Sequence, residues 1–234
     1  MRQKYVHALL RSIPKSILYI ESEYSTDITN EIKMDYIQEK IKTTLEHLRS
    51  CLDYLAHDIY DLCIEPTHGK TSKPIYFPYG KTPNDFNSSL GRNSFGDLKL
   101  LNYDIYNALE SIQPFRSGSN WLIDLCEQTN QIKHNGFLNQ ETKNHVDVEN
   151  GRIKLSGNKN RIVFDNCTVN GKKVNHLEFD HDILVSSDEA NKAGLEINTW
   201  TSFHFSDIDI IKVLKDSFGN VSNLQKSIYS KLQS

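Results

Sequence analysis

With 234 residues, 38% of them hydrophobic and 24% charged, the chain is long enough to bury a core without disulfide or metal staples and reads as a soluble globular protein. A net charge of −3 gives nucleic acid no global attraction, so any phosphate contact requires a local cluster of Lys and Arg. No run approaches eighteen uninterrupted apolar residues, which excludes an ordinary membrane-spanning helix.

The opening "MRQKYVHALLRSIPKSILYI" makes a poor signal peptide, because Arg11, Ser12, Pro14 and Lys15 break its apolar runs. A cytoplasmic protein is the expectation. The spacing predicts a first helix over residues 5–24, bent at Pro14. Residues 26–64 carry the clearest periodicity. Ile28, Ile32, Tyr36, Ile41, Leu45, Leu48, Leu52, Leu55, Ile59 and Leu62 recur three or four apart, one stripe of a long amphipathic helix. Thr26 or Asp27 is its expected cap, and Pro66 with Gly69 its expected end.

Residues 65–97 hold four of the six prolines and are predicted to form a long loop whose aromatic residues, Tyr76, Phe77, Tyr79 and Phe86, pack across the helices. Helices are expected again over 98–113 and 119–134, with Ser119 capping the second and Asn135-Gly136 stopping it. From about residue 145 the period becomes alternating, and Asn170-Gly171 is the strongest hairpin signal in the chain. "LEINTWTSFHF" supplies a further strand. Ile208, Ile211, Leu214, Phe218, Val221, Leu224 and Ile228 then mark a closing helix capped by Ser206, with Gly219 weakening its continuity. The expected fold class is α+β: a helical bundle over 1–144, a small antiparallel β-sheet over 145–206, and a C-terminal helix over 207–234 that returns to the bundle.

Two groups of residues could carry chemistry. "TNQIKHNGF" places Asn130 and His134 one helical turn apart with Lys133 beside them. A histidine at a helix C-terminus gains from the helix dipole when protonated; neutral, it serves as a general acid or base near pH 7. A polar helix end finishing in a capping Asn accounts for the same residues. Arg49, Asp53 and His57 stand at i, i+4 and i+8 on the long helix, either facing a cleft or forming a solvated face of marginal ion pairs. His181, flanked by Asp180 and Asp182, offers metal-ligand chemistry but also fits a surface turn, and no second ligand pair stands at a recognisable spacing. The four cysteines form no CxxC pair, and the chain has no Gly-rich phosphate loop, HExxH or GxSxG. No metal and no cofactor is expected.

"LEHLRSCLDYLAHDIYD", followed after a Pro-rich segment by "LESIQPF" and then "WLIDLCEQTNQIKHNGF", resembles the helical domains of the HEPN superfamily over residues 27–137. The resemblance implies a helical bundle, often dimeric, and in catalytic members a metal-independent endoribonuclease of bacterial defence or toxin–antitoxin systems. The signature of those members is an Arg, a polar residue, three more residues and a His. Here Asn130 matches the polar position and His134 the histidine, but Thr129 stands where the arginine belongs. Arg49 or Lys133 is the candidate substitute for that charge, with Asp53 and His57 beside Arg49 as further candidate substrate contacts. The alternative implied function is a non-catalytic module that forms a homo-oligomer or binds a protein partner.

Overall fold

The computed structural model describes residues 1–24, 31–135, 140–149, 153–156, 162–169, 172–180, 183–184, 196–205 and 208–233, and divides the chain into two compact units. The first unit comprises Met1–Glu23, Ile28–Leu138 and Ile211–Ser234, and it is helical. Helix α1 (Gln3–Tyr24) carries Pro14 in its interior, and α2 (Glu31–Ile59) is the long amphipathic helix expected from the periodicity. Ile41, Leu45, Leu48, Leu52, Leu55 and Ile59 are all fully buried, each contributing about 1.5–3 kcal/mol of transfer free energy.

Both ends of that stripe depart from expectation. Ile37 takes the buried position, and Tyr36 stays 48% exposed. At the other end, residues Tyr60–Ile64 form a π turn, which adds a residue to the turn and rotates the pattern, so Leu62 faces outward while Tyr60 and Ile64 are buried. Pro66 does not end the helix. It occupies the first turn of α3 (Glu65–His68), where a missing N–H costs nothing, and Gly69 at φ 75° makes the stop. The expected cap at Thr26 or Asp27 lies outside the described residues.

The segment 65–97 is not an unbroken loop. Thr82 and Asp85 form a reciprocal capping box around Pro83 and start α4 (Pro83–Arg92). Phe77, Phe86 and Phe95 are buried, tying the segment to the helices. The helix expected over 98–113 is two pieces, α5 (Leu98–Leu101) and α6 (Tyr103–Ser111), because the Asn102 side chain accepts from the Ile105 N–H at 3.0 Å and caps a new start. A single turn, α7 (Pro114–Ser117), ends at left-handed Gly118. Helix α8 (Trp121–Asn135) begins after Ser119, with the Asn120 carbonyl taking the Asp124 N–H at 2.9 Å.

The closing helix, α9 (Ile210–Leu232), runs unbroken through Gly219, which sits on its exposed side. Its bonds to the N-terminal region are explicit. Tyr229 Oη donates to Asp58 Oδ2 at 3.0 Å, and His7 Nε2 lies 3.2 Å from Gln225 Oε1. Asp58 also accepts from the Arg2 backbone N–H at 2.6 Å and from Arg2 Nη1 at 3.0 Å. The expected Ser206 cap lies outside the described residues.

The second unit, Tyr24–Asp27 with Asn139–Ile210, contains the strands. It starts at Asn139 and not near 145, because β1 (Gln140–Glu149) pairs along its whole length with β6 (Glu196–Phe205), polar first half included. Among the described residues the strand pairings are antiparallel. β1 also pairs with β2 (Ile153–Ser156), and β6 with β7 (Ile208–Asp209). β3 (Ile162–Val169) pairs with β4 (Lys172–Asp180), with Val169 opposite Lys172, and β4 pairs with β5 (Ile183–Leu184). The Asn170-Gly171 turn and His181 lie outside the described residues.

Candidate functional site

A cleft of about 950 Å³ opens in the helical unit, and most of the residues singled out in the sequence meet there. Arg49 and Asp53 from α2 form one wall; Thr129, Asn130 and Lys133 from α8 form another. Residues 76–81 and helix α4 complete the rim. The Arg49–Asp53 pair is therefore not a solvated face. Their side chains are 18% and 27% exposed, and the Arg49 Nε to Asp53 Oδ2 separation is 3.7 Å. His57, one turn further along α2, does not line the cleft. The stripe divides because each four-residue step overshoots a full turn by about 40°, so His57 points about 80° away from Arg49 around the helix.

Several contacts hold Arg49 in place. Nη1 donates to the Cys126 thiol on α8, and the guanidinium carbon lies 5.2 Å from the centre of the Tyr79 ring. Asp53 is itself fixed, since its Oδ1 accepts from the Phe77 N–H at 3.1 Å. Burial pushes the Cys126 thiol up to about 11 even beside a guanidinium, so it is a neutral, weak acceptor at physiological pH. A 3.7 Å ion pair and a thiol contact leave much of the five-donor guanidinium unsatisfied, and its charge is available to an incoming oxyanion.

Thr129, at the position where a HEPN-like arginine is expected, is 8% exposed, and its hydroxyl donates to the Leu125 carbonyl at 2.6 Å. It supplies no charge to the cleft. Asn130 and Lys133 are exposed, and among the described residues Lys133 has no carboxylate partner. Lys81 on the rim is paired with Glu127 at 2.7 Å, while Arg92 at the end of α4 carries no ion pair among the described residues. The backbone of His134 belongs to α8, but its side chain lies outside the described residues.

The sequence reading missed two residues that organise this site. Cys126 lies in the buried stripe of α8, and nothing local marks it as the neighbour of a guanidinium 77 positions away. Tyr79, in "YFPYG", was expected to pack across the helices, but nothing local marks it as the neighbour of Arg49. Among the described residues no group of three or more His, Cys, Asp or Glu is arranged to hold a metal ion, and no helix is long and apolar enough to cross a membrane. Compared with known protein families, with curated proteins and with solved structures, the chain matches none of them.

Proposed function

We propose that the cleft between α2 and α8 is a phosphodiester-binding site, and that the chain is a HEPN-like RNA-binding protein in which Arg49 takes the place of the missing motif arginine. One observation carries this reading: Arg49 reaches from α2 into the same cleft as Thr129, Asn130 and Lys133. A partly desolvated guanidinium binds a phosphate oxygen more strongly than an exposed one, because water competes less for its donors. Lys133 and Arg92 add cations to the cleft lining, where they stand beside the carboxylates of Glu46, Asp85 and Glu127.

In the cleaving version the ribose 2′-hydroxyl gives its proton to His134 and attacks the adjacent phosphorus. The bond to the 5′-oxygen breaks, that oxygen takes a proton from water, and a 2′,3′-cyclic phosphate remains. Asn130 positions the phosphate and Arg49 neutralises the charge that develops on it. No metal enters this scheme. The α+β architecture belongs to the same reading, with the helical unit supplying the cleft and an antiparallel sheet unit attached to it.

The test is RNA binding and degradation by the purified chain without added metal, beside Arg49→Gln and His134→Ala. Binding that falls at least tenfold in Arg49→Gln supports the phosphodiester site, and cleavage abolished in His134→Ala supports catalysis. Equal affinity in the native chain and Arg49→Gln would sink the assignment.

A second reading, an oligomerisation or partner-binding module, is favoured by a separate feature. Leu62 (46% exposed), Leu100 (87%) and Tyr103 (60%) sit on adjoining elements, where Asn102 Nδ2 reaches Cys63 Sγ at 3.6 Å. Exposed apolar groups of this kind commonly mark interaction surfaces. Light scattering on the native chain and on Leu100→Lys decides it: a dimer lost in the variant supports the module, and a monomer in both removes it.

A further inference from the structure

The Tyr79 side chain lines the cleft together with Arg49 and Asn130. The guanidinium carbon of Arg49 lies over its ring, 5.2 Å from the centre, and the Asn130 amide acts on its hydroxyl, opposing in part the rise that burial causes in the phenol pKa. We propose that Tyr79 is a positioning residue that aims Arg49 and Asn130 at one bound oxyanion, the ring restraining the guanidinium and the hydroxyl restraining the amide. This rests on the phosphodiester reading of the cleft and adds a residue that neither the motif nor the polar stripe contains.

The backbone around Tyr79 is built to be rigid. Its N–H donates to Ser89 Oγ at 3.2 Å, and the Gly80 N–H donates to Gln113 Oε1 at 3.1 Å; Ser89 and Gln113 are both buried. Gly80 approaches α4 so closely that a Cβ there would lie 2.2 Å from the Phe86 nitrogen, so no other residue fits without moving the helix start. Pro78 restricts the chain on the other side.

Arg49 needs such a restraint. Its carboxylate partner is at 3.7 Å, beyond hydrogen-bond distance, and its sulfur partner is a weak acceptor. A four-bond side chain held only by these two would lose its aim, and the ring face limits the guanidinium to one plane. Burial raises the Tyr79 phenol above its ordinary value, so it stays neutral near pH 7, with a smaller opposing contribution from the Asn130 amide, which donates toward the phenol oxygen.

Two double-mutant cycles in the full chain test this, with a fluorescein-labelled ten-nucleotide oligouridylate as probe and anisotropy read over a series of KCl concentrations. Tyr79→Phe keeps the ring and removes the hydroxyl. It is expected to weaken binding about twofold to fivefold and to add nothing in an Asn130→Ala background. Tyr79→Ala removes both contacts. It is expected to weaken binding at least tenfold, lower the salt slope by roughly 0.7, and add nothing in an Arg49→Gln background.

Additive losses in both cycles, with Arg49→Gln still weakening the native chain, would overturn the role of Tyr79 and leave the phosphodiester site standing. An Arg49→Gln variant that binds as tightly as the native chain would overturn both together. Should Tyr79→Ala fail to fold, as judged by circular dichroism, the Tyr79→Phe and Asn130→Ala cycle decides alone: non-additivity supports the inference and additivity overturns it.

Discussion

Two Arg–Asp clusters are centred on carboxylates of α2, Asp53 and Asp58, five residues apart, and they are built to opposite specifications. Asp58 is 1% exposed and takes three donors, from the Arg2 backbone, the Arg2 guanidinium and Tyr229. Arg2 Nη1 also reaches Asp61 Oδ2 at 2.7 Å. Every group in that cluster is paired, and it joins α1, α2 and α9. Asp53, by contrast, gives one oxygen to a backbone N–H and leaves Arg49 at 3.7 Å, on the wall of an open cleft. The difference separates a polar cluster that holds a fold from one that has donors to spare. The carboxylate, not the residue type, distinguishes them: Asp58 takes three donors, two of them from Arg2, whereas Asp53 takes one backbone N–H and leaves Arg49 with no carboxylate oxygen within hydrogen-bond distance.

The sharpest way to break this comparison is at Asp58. Asp58→Ala removes the acceptor for three donors in a buried setting and is expected to cost about 3 kcal/mol, read from the urea midpoint. Arg49→Gln should cost no more than about 1 kcal/mol by the same measurement, while affecting oligonucleotide binding most. A larger stability loss at Arg49 than at Asp58 would show that the cleft cluster is the structural one.

A charge transplant tests the other side of the comparison. If Arg49 stands in for the motif arginine, the double substitution Arg49→Gln/Thr129→Arg should recover much of the oligonucleotide affinity that Arg49→Gln loses, on the order of tenfold or about 1.4 kcal/mol. Thr129→Arg alone sets a second guanidinium beside the first and is expected to reduce stability, since the Thr129 hydroxyl bond to Leu125 is lost as well. No recovery in the double variant would mean that the two positions do not serve one ligand.

Tyr229 marks the next step down. Tyr229→Phe removes one donor from Asp58 and leaves the ring volume and the two Arg2 bonds, so about 1 kcal/mol is expected from the thermal midpoint. The loss should shrink in an Asp58→Asn background if the hydroxyl acts through the carboxylate.

What the sequence made legible follows the range of the interactions. The amphipathic stripe of α2 and the helical character of 121–135 depend on spacing within a few residues, and both were readable. Arg49 and Asp53 were readable as an i, i+4 pair for the same reason. The partners that decide their role were not, because Cys126, Tyr79 and Phe77 reach them across 24 to 77 positions of chain. Some misses were local and avoidable. "TPND" at residues 82–85 carries a capping box with Pro at the first helical position, yet the surrounding prolines favoured a loop reading. The π turn at Tyr60–Ile64 is different: Leu62 keeps the helical spacing in sequence, and tertiary packing overrides it.

An exposed pair supplies the lower bound for the comparison. Glu110 accepts from Tyr106 Oη at 2.7 Å and from Arg116 Nη2 at 2.8 Å, and the Arg116 side chain is 60% exposed. The hydrogen bond from Tyr106, followed by those from Arg116, holds the Glu110 carboxyl below its ordinary value in spite of partial burial. A carboxyl whose pKa falls on folding contributes stability that is fully present above its unfolded value, about 4.3, and disappears as pH drops through the lower folded value. Native chain and Glu110→Gln should therefore differ by a few tenths of a kcal/mol, and by less than about 1 kcal/mol, at neutral pH. The two denaturation midpoints should converge below about pH 4. A difference that persists unchanged into acid would mean that the pair acts through packing and not through charge, and the ranking by satisfaction would then need no electrostatic component at this site.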